Sequence, residues 1–231
     1  MTFVLPWQKE GVPLDAFTER TLLHCAQSLP PLWAYPVTAR RFAQGERLAS
    51  AGEPLTQLSF VVEGCATVHT VMENGCAALQ TEYRGVRSIG ELELLMAYPT
   101  LTCDVRALTD GVLVCIPLPE ATPRLLEDAA MLRFLGREVA HKLAQASRLA
   151  AQDRVYPLPA RLAAYLLHAA QSGQTTLHLT RLNELLGGSY RHLLRTLRAF
   201  TDAGWVAREG GCLRVLDAQA LARLAGEIRY D

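Results

Sequence analysis

The stretch "HLTRLNELLGGSYRHLLRTLRAFTDAGWVAREGGCLRV", residues 178–215, decides how the rest of the chain is read. Thr180 can cap a short helix over Arg181–Leu186, Gly187-Gly188 makes a turn, and Ser189 caps a longer helix running to about Ala203. Gly204 then closes that helix as a C-terminal stop. On a wheel of ~100° per residue, Leu193, Leu194, Leu197 and Phe200 gather on one side and face a core. Arg191 and Arg195 lie one turn apart on the other side, flanked by His192 and Arg198, and Tyr190 falls near the buried side. "WVAREGGCLRV" reads as two short strands about a Glu209-Gly210-Gly211 turn. Helix, tight turn, helix and hairpin make a winged helix-turn-helix.

Two arginines one turn apart can enter a major groove and bond guanine O6 and N7 bidentately. Ser189 and Thr180 are placed to donate to phosphates, which positions a protein on a duplex without reading its sequence. The plain alternative is a solvated arginine face, and the caps, glycine turn and wing weigh against it. A winged helix used for protein contacts would carry a neutral outer face, which Arg191, Arg195 and Arg198 contradict. Charge agrees with a polyanion partner: residues 154–231 hold 10 Lys/Arg against 6 Asp/Glu, and residues 1–153 hold 13 against 17.

Upstream, residues 122–153 contain only Gly136 and Pro123 as breakers. Leu132, Leu135, Val139, Leu143, Ala146 and Ala150 step by three and four along one side. That spacing predicts one long amphipathic helix, packed on its own domain or against a second copy of the chain. Pro157 and Pro159 end it, and "ARLAAYLLHAA" (160–170) is a further amphipathic helix. From Val37 to about Pro117 the period shortens. Apolar alternation in "LSFVV" and "ATVHTV", with Gly45, Gly52, Gly64, Gly75 and Gly85 between, predicts an antiparallel sandwich or barrel. Asn74-Gly75 signals a hairpin that sets Cys65 near Arg84.

Other classes are excluded or set aside. The chain has no G-x-S-x-G, P-loop or H-E-x-x-H, so an enzyme is not expected. No apolar run approaches the ~18 residues of a membrane span, and the N-terminus has no basic region before an apolar stretch, so the expected location is cytoplasmic. The six cysteines, Cys25, Cys65, Cys76, Cys103, Cys115 and Cys212, are scattered without C-x-x-C, so no metal site is predicted.

These motifs resemble the CRP/FNR superfamily of bacterial transcription regulators. "FAQGERLASAGEPLTQLSFVVEGCATV" (42–68) is similar to the opening of its cyclic-nucleotide-binding β-roll. "IGELELL" (89–95) is similar to the start of its phosphate-binding cassette, and "TRLNELLGGSYRHLLRTLRAF" (180–200) to its helix-turn-helix. Within it, "YPLPARLAAYLL" with "LGGSYRHLLRTLRAF" looks like the YeiL-type regulators. The resemblance implies an α+β chain: a β-roll sensor domain (1–121), a dimerisation helix and hinge (122–156) and a winged helix-turn-helix (157–231). It further implies a homodimer seamed at Leu132, Leu135, Val139, Leu143 and Ala146, a palindromic double-stranded DNA operator and RNA polymerase as partners. Tyr190, Arg191 and Arg195 stand at its base-reading positions.

The cassette carries a departure. In cyclic-nucleotide-binding members Gly-Glu-Leu contacts the ribose, and an Arg-Ser pair eleven residues on binds the cyclic phosphate. Gly90, Glu91 and Leu92 match; Leu101 and Thr102 stand where Arg-Ser would, followed by Cys103. Arg106, an odd number of positions along an extended strand from Leu101, is expected on the opposite face. The pocket is expected to be degenerate and not to take cyclic AMP. The alternatives are an iron–sulfur centre on the scattered cysteines, a thiol switch at Cys103 or Cys115, or haem through His24, His69 or His141; no cofactor is assigned.

Overall fold

A computed structural model describes residues 15–30, 32–71, 77–171, 179–186, 189–209 and 212–228. The expected turns at Asn74-Gly75, Gly187-Gly188 and Gly210-Gly211 lie outside them, as does Cys76. The chain divides into two compact units, residues 1–144 and 145–231.

The first unit begins with helix α1 (Ala16–Cys25), capped by Asp15, whose carboxylate accepts from the amides of Phe17 and Thr18. Strands β1 (Thr38–Phe42), β2 (Arg47–Ala49), β3 (Gln57–Glu63), β4 (Cys65–Val71), β5 (Ala77–Arg84) and β6 (Arg87–Ile89) follow. Then come helix α2 (Glu91–Met96) and strands β7 (Asp104–Ala107) and β8 (Gly111–Pro117). They form two four-stranded sheets, ordered β1-β8-β3-β6 and β2-β7-β4-β5, and the pairings are antiparallel. Phe42, Val61, Ala66, Val68, Ile89, Val105 and Leu113 fill one core of this unit. The first sheet is covered on its other face too. Leu58, Phe60 and Val62 of β3, with Val112, Val114 and Ile116 of β8, join a second core with residues of α1.

"LSFVV" is therefore buried at all five positions rather than half-solvated. A strand covered on both faces reads as a continuous apolar run, and its lone polar member, Ser59, is placed with its hydroxyl 3.5 Å from Cys115 Sγ. The β4–β5 register sets Cys65 opposite Arg84 as expected, then slips by one residue between Val68 and His69. That slip is a β-bulge, which increases local twist.

The long helix is two helices. Helix α3 (Leu118–Glu127) stops at Asp128, whose backbone is extended, and α4 (Ala129–Val155) begins after it. Asp128 Oδ1 accepts from the amides of Ala130 (2.8 Å) and Met131 (3.1 Å), capping the new helix, while Oδ2 accepts from Tyr35 Oη at 2.8 Å. A cap that also anchors a buried tyrosine favours a break over continuation. Burial works against the charged carboxylate of Asp128, but Tyr35, the two amides and Arg124 outweigh it and hold it below the usual range.

In the second unit, α5 (Leu158–Gln171) is nearly all buried, and α6 (Leu179–Leu186) and α7 (Tyr190–Asp202) pack against it. Strands β9 (Val206–Glu209) and β10 (Cys212–Val215) pair antiparallel, and α8 (Ala218–Ala225) completes the core. Helix α6 begins at Leu179, so Thr180 stands in the first turn and is not the N-cap. The half-buried Leu179 packs against the core, which favours winding the helix back to include it.

Candidate nucleic-acid interface and effector pocket

Helix α7 follows the reading of its caps. Ser189 Oγ accepts from the amide of His192 at 3.2 Å, and Gly204 follows the helix at φ 73°. Leu193, Thr196, Leu197 and Phe200 are buried, while Arg191, Arg195 and Arg198 are exposed. This strong segregation orients the helix: burying each large apolar side chain contributes about 1.5–3 kcal/mol, so the arginine face points to solvent. Two placements differ from the wheel. Leu194 is 37% exposed and Tyr190 is 45% exposed, so both stand on the outer side. They lie one turn apart at the edge of the apolar stripe, and the core is already closed by Leu193 and Leu197. Arg198 Nε lies 3.9 Å from Asp202 Oδ2 with both side chains in water, a pairing that contributes little.

The hairpin is fastened to the end of α7. Trp205 donates its amide to Phe200 O at 2.9 Å and accepts from Leu216 at 2.8 Å, and the rings of Phe200 and Trp205 sit 5.3 Å apart. Its strands expose Arg208 and Arg214, which the helical reading passed over. An arginine on each side of the glycine pair in "AREGGCLR" was the signal available.

Sequence reasoning also missed Arg161. It is 7% exposed on α5, donates from Nε to Tyr156 O at 3.2 Å, and bonds from Nη1 to Asp153 Oδ1 and to Leu186 O.

In the first unit, the cassette forms as a turn into α2. Gly90 adopts φ 93°, and a Cβ there would come within 2.8 Å of Leu55 Cδ1 and 3.2 Å of Gln57 O, so both conformation and space demand glycine. Glu91 and Glu93 are 3% and 5% exposed. Lys142 of α4 lies with Nζ 2.5 Å from Glu91 Oε1, donates to Ser88 O at 2.8 Å, and sits 4.6 Å above the Tyr83 ring. Burial, and then the charge of Glu91 and neighbouring acids, push the Tyr83 phenol well above its usual range, so it presents a neutral ring to the ammonium.

Thr102 donates its amide (2.8 Å) and its hydroxyl (2.6 Å) to Glu93 Oε1. Leu101 is half-buried against the sandwich core, and Cys103 is half-buried beside Thr102, their Sγ and Oγ1 3.7 Å apart. Leu92 points the other way, 39% exposed on the outer side of α2 with Leu95 and Met96. Contrary to expectation, no continuous strand joins Leu101 to Arg106: β7 starts only at Asp104, and 101–103 is loop. Arg106 is exposed all the same, between buried Val105 and Ala107. Arg84 pairs with Glu82 at 3.2 Å and Arg87 approaches Glu138 at 3.8 Å.

The expected dimer stripe on α4 divides. Leu135 is fully buried with Met131 in this unit's own core, so it is not available to a second copy. Leu132 and Val139 are half-buried, Ala146 is exposed and Leu143 is 66% exposed.

Of the cysteines proposed for redox chemistry, Cys115 is buried and burial raises its thiol pKa, as it does for Cys25. A raised pKa lowers the fraction of thiolate, the form that oxidation needs. Among the described residues no group of three or more His, Cys, Asp or Glu is placed to hold a metal.

Residues 39–127 match the family model of the cyclic nucleotide-binding domain, and residues 160–224 match that of the Crp-like helix-turn-helix domain. The chain belongs to the CRP/FNR superfamily of transcription regulators. Regulatory protein YeiL of Escherichia coli O157:H7 is 27% identical over 187 residues, 81% of this chain and 85% of that protein. A CRP-family regulator from Thermus thermophilus superposes with a TM-score of 0.69 at 22% identity, over 81% of this chain and 97% of its own. A crp/fnr-family regulator from Eubacterium rectale ATCC 33656 gives 0.73 at 16% identity, over 96% and 98%. At such identities the structures speak for the fold alone. This CRP/FNR regulator is a DNA-binding transcription regulator and not an enzyme. No helix among its described residues is long and apolar enough to cross a membrane.

Proposed function

We propose that this CRP/FNR regulator acts in the cytoplasm as a homodimer on a palindromic operator, reading bases with Arg191 and Arg195 and ignoring cyclic AMP. The observation that carries it is the two-sided α7, with Leu193, Leu197 and Phe200 sealed into the core and Arg191, Arg195 and Arg198 in water. Tyr190, exposed at the start of the helix, joins the base-reading set, with His192 beside it. Ser189 and Thr180 at the helix starts, and Arg208 and Arg214 on the wing, contact phosphates. In this reading residues 1–121 are the sensor, 122–156 the dimer helix and hinge, and 157–231 the DNA-binding domain, and the bound dimer meets RNA polymerase.

The seam is the outward side of α4. Leu143 offers a large apolar side chain 66% exposed, and Gly136, Ala140, Ala146 and Ala150 leave room beside it for a second helix. Leu132 and Val139 border it.

The effector pocket is degenerate. Its ribose-side carboxylate, Glu91, is held by Lys142, and the seat of the cyclic phosphate holds Leu101, Thr102 and a buried Glu93. A carboxylate about 5 Å from a phosphate charge repels it by on the order of 3 kcal/mol at an effective dielectric near 20.

Selection of bound sequences from random duplex DNA by the full-length protein tests the function. Enrichment of a two-fold symmetric site is expected, with affinity falling steeply as salt rises. Binding that keeps no sequence preference would leave the arginines as phosphate contacts and sink the base-reading role.

A further inference from the structure

We propose that Glu93 is the resident anion of this pocket, a tethered carboxylate seated in a clasp that would otherwise receive a small carboxylate from solution. The inference rests on the reading of the pocket as closed to cyclic nucleotides and says what closes it. Thr102 directs two donors, its amide at 2.8 Å and its hydroxyl at 2.6 Å, onto one oxygen, Glu93 Oε1. Two donors of one residue converging on a single charged oxygen are the geometry of anion recognition. Glu93 is 5% exposed, and carboxylates are seldom buried so far unless something holds their charge. The clasp is that something, and it reaches across nine positions of sequence from a loop with no strand partners of its own at Thr102.

The other carboxylate of α2 is met from elsewhere. Glu91 takes Lys142 from α4, so the two acids tie this short helix to the loop that follows it and to a helix 51 positions away. Both charged ends of the pocket are thus satisfied within the chain. A free anion would have to displace a group whose effective concentration, being tethered, is about millimolar or higher. The sensor domain is therefore liganded in cis and keeps one conformation without a diffusible effector.

Chemical rescue of the full-length protein tests this. Glu93→Ala empties the seat, and its melting temperature should fall. Acetate at about 0.1 M should raise it again by roughly 2–4 °C over chloride of equal ionic strength. The unmodified protein should not respond, and the double variant Glu93→Ala with Thr102→Val should lose the response. A folded Glu93→Ala protein indifferent to acetate, or a double variant rescued as well as the single, overturns the proposal. If Glu93→Ala does not fold, hydrogen exchange at the Thr102 amide decides. Exchange at least tenfold faster in Glu93→Met than in the unmodified chain supports the clasp, and equal rates overturn it. Micromolar binding of cyclic AMP to the unmodified protein is a separate result: it would overturn the pocket reading whatever acetate does.

Discussion

Arg161 donates a hydrogen bond from Nη1 to the carbonyl of Leu186, the last residue of α6. The same guanidinium holds Asp153, near the end of α4, and Nε holds the carbonyl of Tyr156 at 3.2 Å. Helix ends leave their last carbonyls without intrahelical partners, and here a buried cation takes the carbonyl of the last residue of α6. Arg161→Met should therefore destabilise the second unit by about 2–4 kcal/mol, since it strands the Leu186 carbonyl and frees Asp153. Arg161→Lys should recover only part, because an ammonium cannot span three acceptors with a planar fork. Urea dependence of hydrogen exchange at the amides of α5 reads this; an unchanged midpoint in Arg161→Met would remove Arg161 from the framework of the unit.

Arg195→Ala should cost about 1–3 kcal/mol at the selected operator and much less on random duplex. Its side chain lies in water on α7, so the melting temperature should hardly move. Arg191→Ala should behave alike. Equal losses on both DNAs, measured by fluorescence anisotropy, would reassign the residue to a phosphate.

Leu143→Glu and Leu135→Glu should fail in different ways. Leu143 is 66% exposed in the single chain and Leu135 fully buried. A glutamate at 143 should give folded monomers with weak operator binding, by burying a carboxylate against its copy. A glutamate at 135 should unfold the first unit instead. Sedimentation with circular dichroism separates the two, and a dimeric Leu143→Glu protein would place the seam elsewhere.

Asp128 gives a pH signature. Its carboxyl is held below the usual range in the folded protein, so its charge stabilises at pH above its unfolded value of about 3.9 and that contribution is lost as pH falls through the folded one. Asp128→Asn should be less stable than the unmodified chain at pH 7, with the gap closing below about pH 4. Asp128→Ala, which also removes the α4 cap, should cost about 1–2 kcal/mol at neutral pH. A gap between Asn and Asp that persists unchanged at pH 3 would contradict this account.

Cyclic AMP and cyclic GMP should give no calorimetric signal at micromolar protein. Glu91, already held by Lys142, can still offer a ribose one hydrogen bond, about 1.5–3 kcal/mol for a charged acceptor and short of millimolar affinity after association costs. Micromolar binding would mean that Arg84 or Arg87 leaves its carboxylate partner and swings into the pocket.

Local patterns carried far in this chain. The Ser189 cap and the Gly204 stop depend on neighbours within a few residues and were legible from composition and spacing, and the Asn74-Gly75 pair was enough to set Cys65 opposite Arg84. The three motifs in order were enough for the superfamily. Period identifies the apolar side of a helix but not what covers it, so Leu135 and Leu143 read alike until the β-roll claimed one and left the other outside. The break at Asp128 needed Tyr35, 93 positions away, as a partner for the carboxylate. Glu93 with Thr102, Lys142 with Glu91 and Arg161 with Leu186 were likewise set only by the fold. A buried charge is stable solely beside its counter-group, and the sequence alone determines which charges exist, whereas the tertiary structure decides which of them meet.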